Sequence, residues 1–133
     1  MKKVVLDTNI VISSAISASG NPAAIMELAS DMLIQIYYNN EILDEYKRVL
    51  AYEKLKIERE KQEEIIEKIM NIGTLIQSKK SNIPLPDESD RIFYDTAQTA
   101  EAILVTGNIK HYPNEPFIMT PASYCQKLAL NEI

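Results

Sequence analysis

Two short apolar runs constrain what this chain can fold into. Val4-Val5-Leu6 stops at Asp7-Thr8-Asn9, and Ile103-Leu104-Val105 stops at Thr106-Gly107-Asn108. A run that is apolar at every position reads as a strand buried on both faces. Strands of that kind belong to parallel sheets covered by helices on both sides. The stretches between them carry helical spacing, so strands and helices alternate along the chain. The expected fold is a three-layer α/β/α sandwich with a five-stranded, largely parallel sheet. The 133 residues suffice for a single domain, 1–133, with its own core.

The remaining elements fall between clear breaks. After Asp7, Ile10 to Ile16 reads as a helix. Ser19-Gly20-Asn21-Pro22 interrupts it, and Pro22 opens a second helix to about Ser30. Met32 to Ile36 reads as the second strand, with Asn39-Asn40 as turn and cap. The helix from about Glu41 to Ala51 carries an apolar stripe of Ile42, Leu43, Tyr46, Val49 and Leu50. Asp44 falls opposite the stripe, and Glu45 on its flank. A short helix and then a longer one, about Glu58 to Asn71, follow, ended by Gly73. Their dense charge reads as a solvated face, with a partner-binding arm as the rival reading. Thr74 to Gln77 is the expected third strand, and Ser78 to Asp87 a polar connection. A helix then runs to about Ala100, Ile103 to Thr106 forms the fourth strand, and Phe117 to Met119 the fifth. Thr120-Pro121 starts the last helix.

Charge and composition narrow the function. There are 19 acids against 14 bases, a net charge of −5. That argues against gripping nucleic acid through bulk positive charge. It leaves room for a nuclease whose acids gather around a metal ion. No apolar run reaches the length of a membrane span, and Asp7 breaks the first run too early for a signal peptide, so a cytoplasmic location is expected. Cys125 is the only cysteine and reads as a packing residue. His111 is the only histidine and reads as structural or exposed, because no second histidine can share a metal with it.

Four polar residues converge in this architecture. The carboxyl ends of strands one and four meet at one sheet edge, where open α/β sheets bind ligands. Asp7, Asp90 and Asn108 reach that edge, and Glu45 can join them. Several acids have a plainer reading. Asp7 would cap the following helix, Glu45 would sit at the surface, and Asp95 would be solvent-exposed. Acids at Asp87 and Glu88 suit the positive end of a helix. Yet carboxylates crowded into one cleft repel each other unless a cation lies between them. Oxygen ligands select Mg2+ or Mn2+, which can activate water and stabilise a departing oxygen. That chemistry suits phosphodiester hydrolysis. The chain has no glycine-rich phosphate loop and no Cys/His metal spacing.

Val5-Leu6-Asp7-Thr8-Asn9, Glu41-Ile42-Leu43-Asp44-Glu45-Tyr46, Asp90 with Phe93 and Ala97, and Leu104-Val105-Thr106-Gly107-Asn108 resemble the motifs of the PIN domain. The order and spacing of all four match. Within that family the chain looks closest to the prokaryotic toxin components of toxin–antitoxin systems. The resemblance implies a divalent-metal-dependent endoribonuclease acting on single-stranded RNA. It carries Asp7, Glu45 and Asp90 over as metal-binding acids, and Thr8 or Asn9 as a group orienting Asp7 or a water. It also implies an antitoxin partner and a homodimer. The family often has Asp where this chain has Asn108, which weakens a second metal site. Asn108 and Asp95 stand as further members, although Asp90 and Asp95 are about 140° apart on an ideal helix. Two rivals remain. One is a catalytically weak binding module for RNA or protein. The other is an aspartate-nucleophile phosphohydrolase, which normally wants a second Asp where Asn9 stands.

Overall fold

The computed structural model describes residues 2–133. Five parallel strands form one sheet in the order β3-β2-β1-β4-β5. In chain order they are β1 (Lys2–Leu6), β2 (Ile34–Tyr38), β3 (Thr74–Leu75), β4 (Ile103–Val105) and β5 (Ile118–Met119). The helices are α1 (Thr8–Ile16), α2 (Asn21–Ser30), α3 (Asn40–Leu50), α4 (Arg59–Ile72), α5 (Arg91–Ala100) and α6 (Pro121–Ala129). Val4, Val5 and Leu6 are all fully buried. Successive strand side chains point to opposite faces, so helices must cover both sides of the sheet. α5 packs against β1, β2 and β4, while α1 packs on α2 and α3.

The second strand begins two residues later than its apolar run suggests. The α2 helix ends in a Schellman turn. Leu33 N–H donates to the Leu28 carbonyl (2.9 Å), and Met32 N–H to that of Ala29 (3.0 Å). Met32 takes the left-handed conformation at φ 60°. Met32 and Leu33 are therefore spent on the turn and stay exposed, and pairing starts at Ile34. Gly73 does end α4, but for a different reason than a left-handed cap. Its backbone is extended. A Cβ there would lie 2.6 Å from the Ile69 carbonyl oxygen and 2.9 Å from the Tyr38 ring. The third strand is shorter than expected, stopping at Leu75.

Register sets the geometry of the functional edge. Leu6 pairs with Val105 across β1 and β4, so Asp7 and Thr106 leave the sheet side by side. Asp7 N–H extends the ladder by one bond to the Val105 carbonyl (3.0 Å). The apolar stripe of α3 is buried through Ile42, Leu43, Tyr46 and Leu50. The fully buried Tyr46 hydroxyl donates to the Leu6 carbonyl, fixing α3 to the end of β1. Glu45, its neighbour on the helix flank, is thereby held beside Asp7. Asn39 caps α3 by accepting from Ile42 N–H (2.9 Å) and anchors it to α5 through Thr96 (2.8 Å). No helix among the described residues is long and apolar enough to cross a membrane.

Candidate active site

At the carboxyl edge of the sheet lies a cleft of about 410 Å³. Asp7, Glu45, Asp90 and Asn108 line it, together with Asp87, His111, Tyr52 and Lys54. They arrive from several different connections. Asp7 ends β1, Glu45 sits on α3, and Asp87 and Asp90 flank the single 3-10 turn that leads into α5. Asn108 and His111 bracket a similar turn after β4.

Asp7 is both cap and cleft residue. Its Oδ1 accepts from Thr8 N–H (2.7 Å), opening α1. Its Oδ2 accepts from the Thr106 hydroxyl (2.7 Å) and the Tyr112 hydroxyl (3.0 Å). Burial pushes the Asp7 carboxyl above the ordinary range, opposed by these three bonds and reinforced by the Glu45 charge. Burial and the charges of Asp7 and Asp90 raise the Tyr112 phenol, so it stays a donor to Asp7. Thr106 and Tyr112 were not legible as site residues. Thr106 could have been suspected from its place directly after an apolar strand; Tyr112 gave no signal, because its reach depends on a loop.

Glu45 is oriented by Thr8 rather than by its own helix. The Thr8 hydroxyl donates to Oε2 (2.8 Å), and Arg48 pairs with Oε1 (3.0 Å). Neither the Thr8 nor the Asn9 side chain hydrogen-bonds to the Asp7 carboxylate, whose donors are Thr8 N–H, Thr106 and Tyr112. Asn9 Oδ1 instead accepts from Gly107 N–H (2.8 Å). A Cβ on Gly107 would lie 3.0 Å from that oxygen, so the glycine lets the two loops meet. Asn9 thus holds the turn that presents Asn108.

Asp90 is different. It is 9% exposed, and its Oδ2 is buried without a hydrogen-bond partner. His111 Nδ1 stands 3.5 Å from that oxygen, without hydrogen-bond geometry. Burial and the charges of Asp7 and Asp87 push the Asp90 carboxyl up to about 6, with His111 pulling the other way. Among the described residues, Asp87, Asp90 and His111 form a group whose ligand atoms all lie within 4.8 Å of one another. Asp7, Glu45 and Asp90 share the cleft but do not form such a group. Asp90 links the two sets. An orphaned buried carboxylate oxygen among further carboxylates is a donor set that suits a hard divalent cation.

Asp95 does not join them. It is buried, against the expectation of solvent exposure, and its carboxylate accepts from Ser81 N–H (3.0 Å) and Ser81 hydroxyl (2.6 Å). Asp90 does lie before the regular helix, yet Asp95 lines another cleft with Glu41, Lys80 and Arg91. Its role is to pin the polar connection onto α5. Cys125, half-buried and raised by burial, has the character of a packing thiol.

The model of the PIN domain matches residues 3–110. The uncharacterized protein MJ1680 of Methanocaldococcus jannaschii is 28% identical over 109 residues, spanning 80% of this chain and 70% of that protein. A chain in the crystal structure of VapBC2 from Rickettsia felis, bound to a DNA fragment from their promoter, superposes with a TM-score of 0.60 at 18% identity. The match covers 89% of this chain and 96% of that one. With the motif order, the parallel sheet and the acidic cleft at its carboxyl edge, these matches lead to one assignment: this chain belongs to the PIN-domain family.

Proposed function

We propose that this protein is a divalent-metal-dependent endoribonuclease that hydrolyses single-stranded RNA, and that it is the toxin of a toxin–antitoxin pair. The observation carrying this reading is that Asp7, Glu45, Asp90 and Asn108, far apart in sequence, line one cleft at the sheet edge. Asp7, Glu45 and Asp90 would hold Mg2+ or Mn2+. When bound, the ion would activate a water and stabilise charge on the leaving oxygen. Thr106 and Tyr112 fix the Asp7 carboxylate, and Thr8 fixes that of Glu45. Asn108 offers an uncharged oxygen at the rim. Lys54, lining the same cleft, supplies a positive charge for a phosphate.

Likeness to the VapBC2 chain supports an antitoxin partner, and a homodimer acting in the cytoplasm accords with the same reading. The test is cleavage of an unstructured RNA oligomer with and without Mn2+. Asp7→Asn should abolish metal-dependent cleavage while circular dichroism stays unchanged; undiminished cleavage by that variant would sink the assignment.

A second reading, a catalytically weak binding module of the same fold, draws on one observation. The Asp7 carboxylate is already occupied by three donors, and Asn108 adds no charge. Mn2+ titration separates the two. A nuclease gains activity with the ion, and thermal stability as well, because the ion binds only the folded state. A binding module gains no activity, whatever the ion does to its stability.

A further inference from the structure

The cleft contains two potential ligands, Asp87 and His111, that the nuclease reading does not use. Asp87 and Asp90 lie three residues apart across a single 3-10 turn, where side chains at that spacing eclipse. His111 closes the turn after β4 and faces them. One ligand atom from each lies within 4.8 Å of the other two.

Acids near one another are common on protein surfaces, so proximity alone decides nothing. The deciding feature is Asp90 Oδ2, a buried acceptor with no donor. Asp7 shows what this fold does with a buried carboxylate that needs none: it supplies three hydrogen bonds. Nothing comparable is built around Asp90. A buried anion left without donors is costly, and proteins keep one where a ligand completes it. Asp87 is prepared as well. Ser89 holds its Oδ1 through backbone and hydroxyl (3.0 and 2.8 Å), which leaves its other oxygen for the cleft.

We propose that Asp87, Asp90 and His111 form a divalent-cation site of their own, beside the Asp7–Glu45 position and sharing Asp90 with it. Two carboxylates match the charge of a divalent ion. The imidazole sets its identity. Nitrogen ligands favour first-row transition ions over Mg2+, whose preference is for oxygen. The site therefore takes Mn2+ in preference to Mg2+. The proposal holds whether or not the protein cleaves RNA.

The single histidine makes the test direct, because any imidazole nitrogen on a bound ion comes from His111. Metal-stripped, tag-free protein is titrated with Mn2+, and the bound ion is examined by electron spin-echo envelope modulation. Nitrogen-14 modulation from a coordinated imidazole is expected in the wild type, and excess Mg2+ should not remove it. His111→Gln, at an exposed position, should lose the modulation and bind Mn2+ about tenfold more weakly. Asp87→Asn should weaken the same signal. Asp7→Asn should keep it, which separates this site from the nuclease centre. Bound Mn2+ without nitrogen modulation in the wild type would overturn the proposal. So would a signal lost equally in Asp7→Asn, which would mean one composite site.

Discussion

Asp7 and Asp90 line the same cleft, yet the chain treats them in opposite ways. Asp7 receives three donors, from Thr8, Thr106 and Tyr112, and is held in one orientation. Asp90 has a buried oxygen with no donor, and burial and neighbouring acids raise its carboxyl to about 6. One half of the cleft is finished by the protein itself. The other half is left for something to be added. The contrast separates positioning from binding. The protein's own donors offset part of the cost of burying Asp7 as an anion, whereas the anionic form of Asp90 has no such offset until a cation arrives.

Substitutions at the two positions should therefore diverge. The largest effect is on chemistry. Asp7→Asn should lower metal-dependent RNA cleavage by about a thousandfold, measured in single-turnover assays. It should also destabilise the metal-free protein by about 1–2 kcal/mol, because the amide NH2 that replaces one carboxylate oxygen cannot accept the bonds made there. Asp90→Asn should lose cleavage too but move stability the other way. Above neutral pH it should stabilise the metal-free protein by about 1–3 kcal/mol in thermal melts.

The pH dependence follows from the same shift. A carboxyl raised on folding binds more protons folded than unfolded. Its penalty is absent below about pH 4 and fully present above the folded value of about 6. Metal-free wild type should lose stability across that window, and Asp90→Asn should flatten the loss. Saturating Mn2+ should restore it in the wild type alone. A wild-type profile indistinguishable from that of Asp90→Asn would erase the proposed contrast.

Smaller effects sharpen the Asp7 side. Tyr112→Phe removes one of the two donors on Oδ2 and should cost about 1–2 kcal/mol in urea unfolding, with Thr106 still holding that oxygen. Asp95→Asn weakens the Ser81 tie and should cost about 1 kcal/mol without changing Mn2+ affinity, because it lines another cleft. An equal loss of Mn2+ affinity in Asp95→Asn would return it to the ligand set.

The fold was largely legible because its signals are local. A fully apolar run marks a doubly buried strand, and Pro22, Gly73 and Thr120 punctuate the helices. The second strand starts two residues after its apolar run because Met32 and Leu33 are apolar yet serve a helix-ending turn, which hydrophobicity cannot reveal. The cleft was partly legible for a related reason. Asp7 and Asn108 follow apolar strands, so their edge is fixed by topology. Helix electrostatics suffices for Asp87 in the sequence, and a lone histidine suggests no metal there, yet the fold brings Asp87, Asp90 and His111 within 4.8 Å of one another. Thr106 and Tyr112 depend on register and loop path, which sequence pattern does not carry. Asp95 is the converse case: helical spacing alone does not show that Ser81, in the polar connection, bonds to its carboxylate.

The sheet ends in two very short strands, Thr74–Leu75 on one side and Ile118–Met119 on the other. Each border exposes too few backbone groups to template a neighbouring chain, so the architecture resists growth by strand addition. A second copy of this chain would then have to pack on helices or loops, because neither border of the sheet offers it a strand to extend.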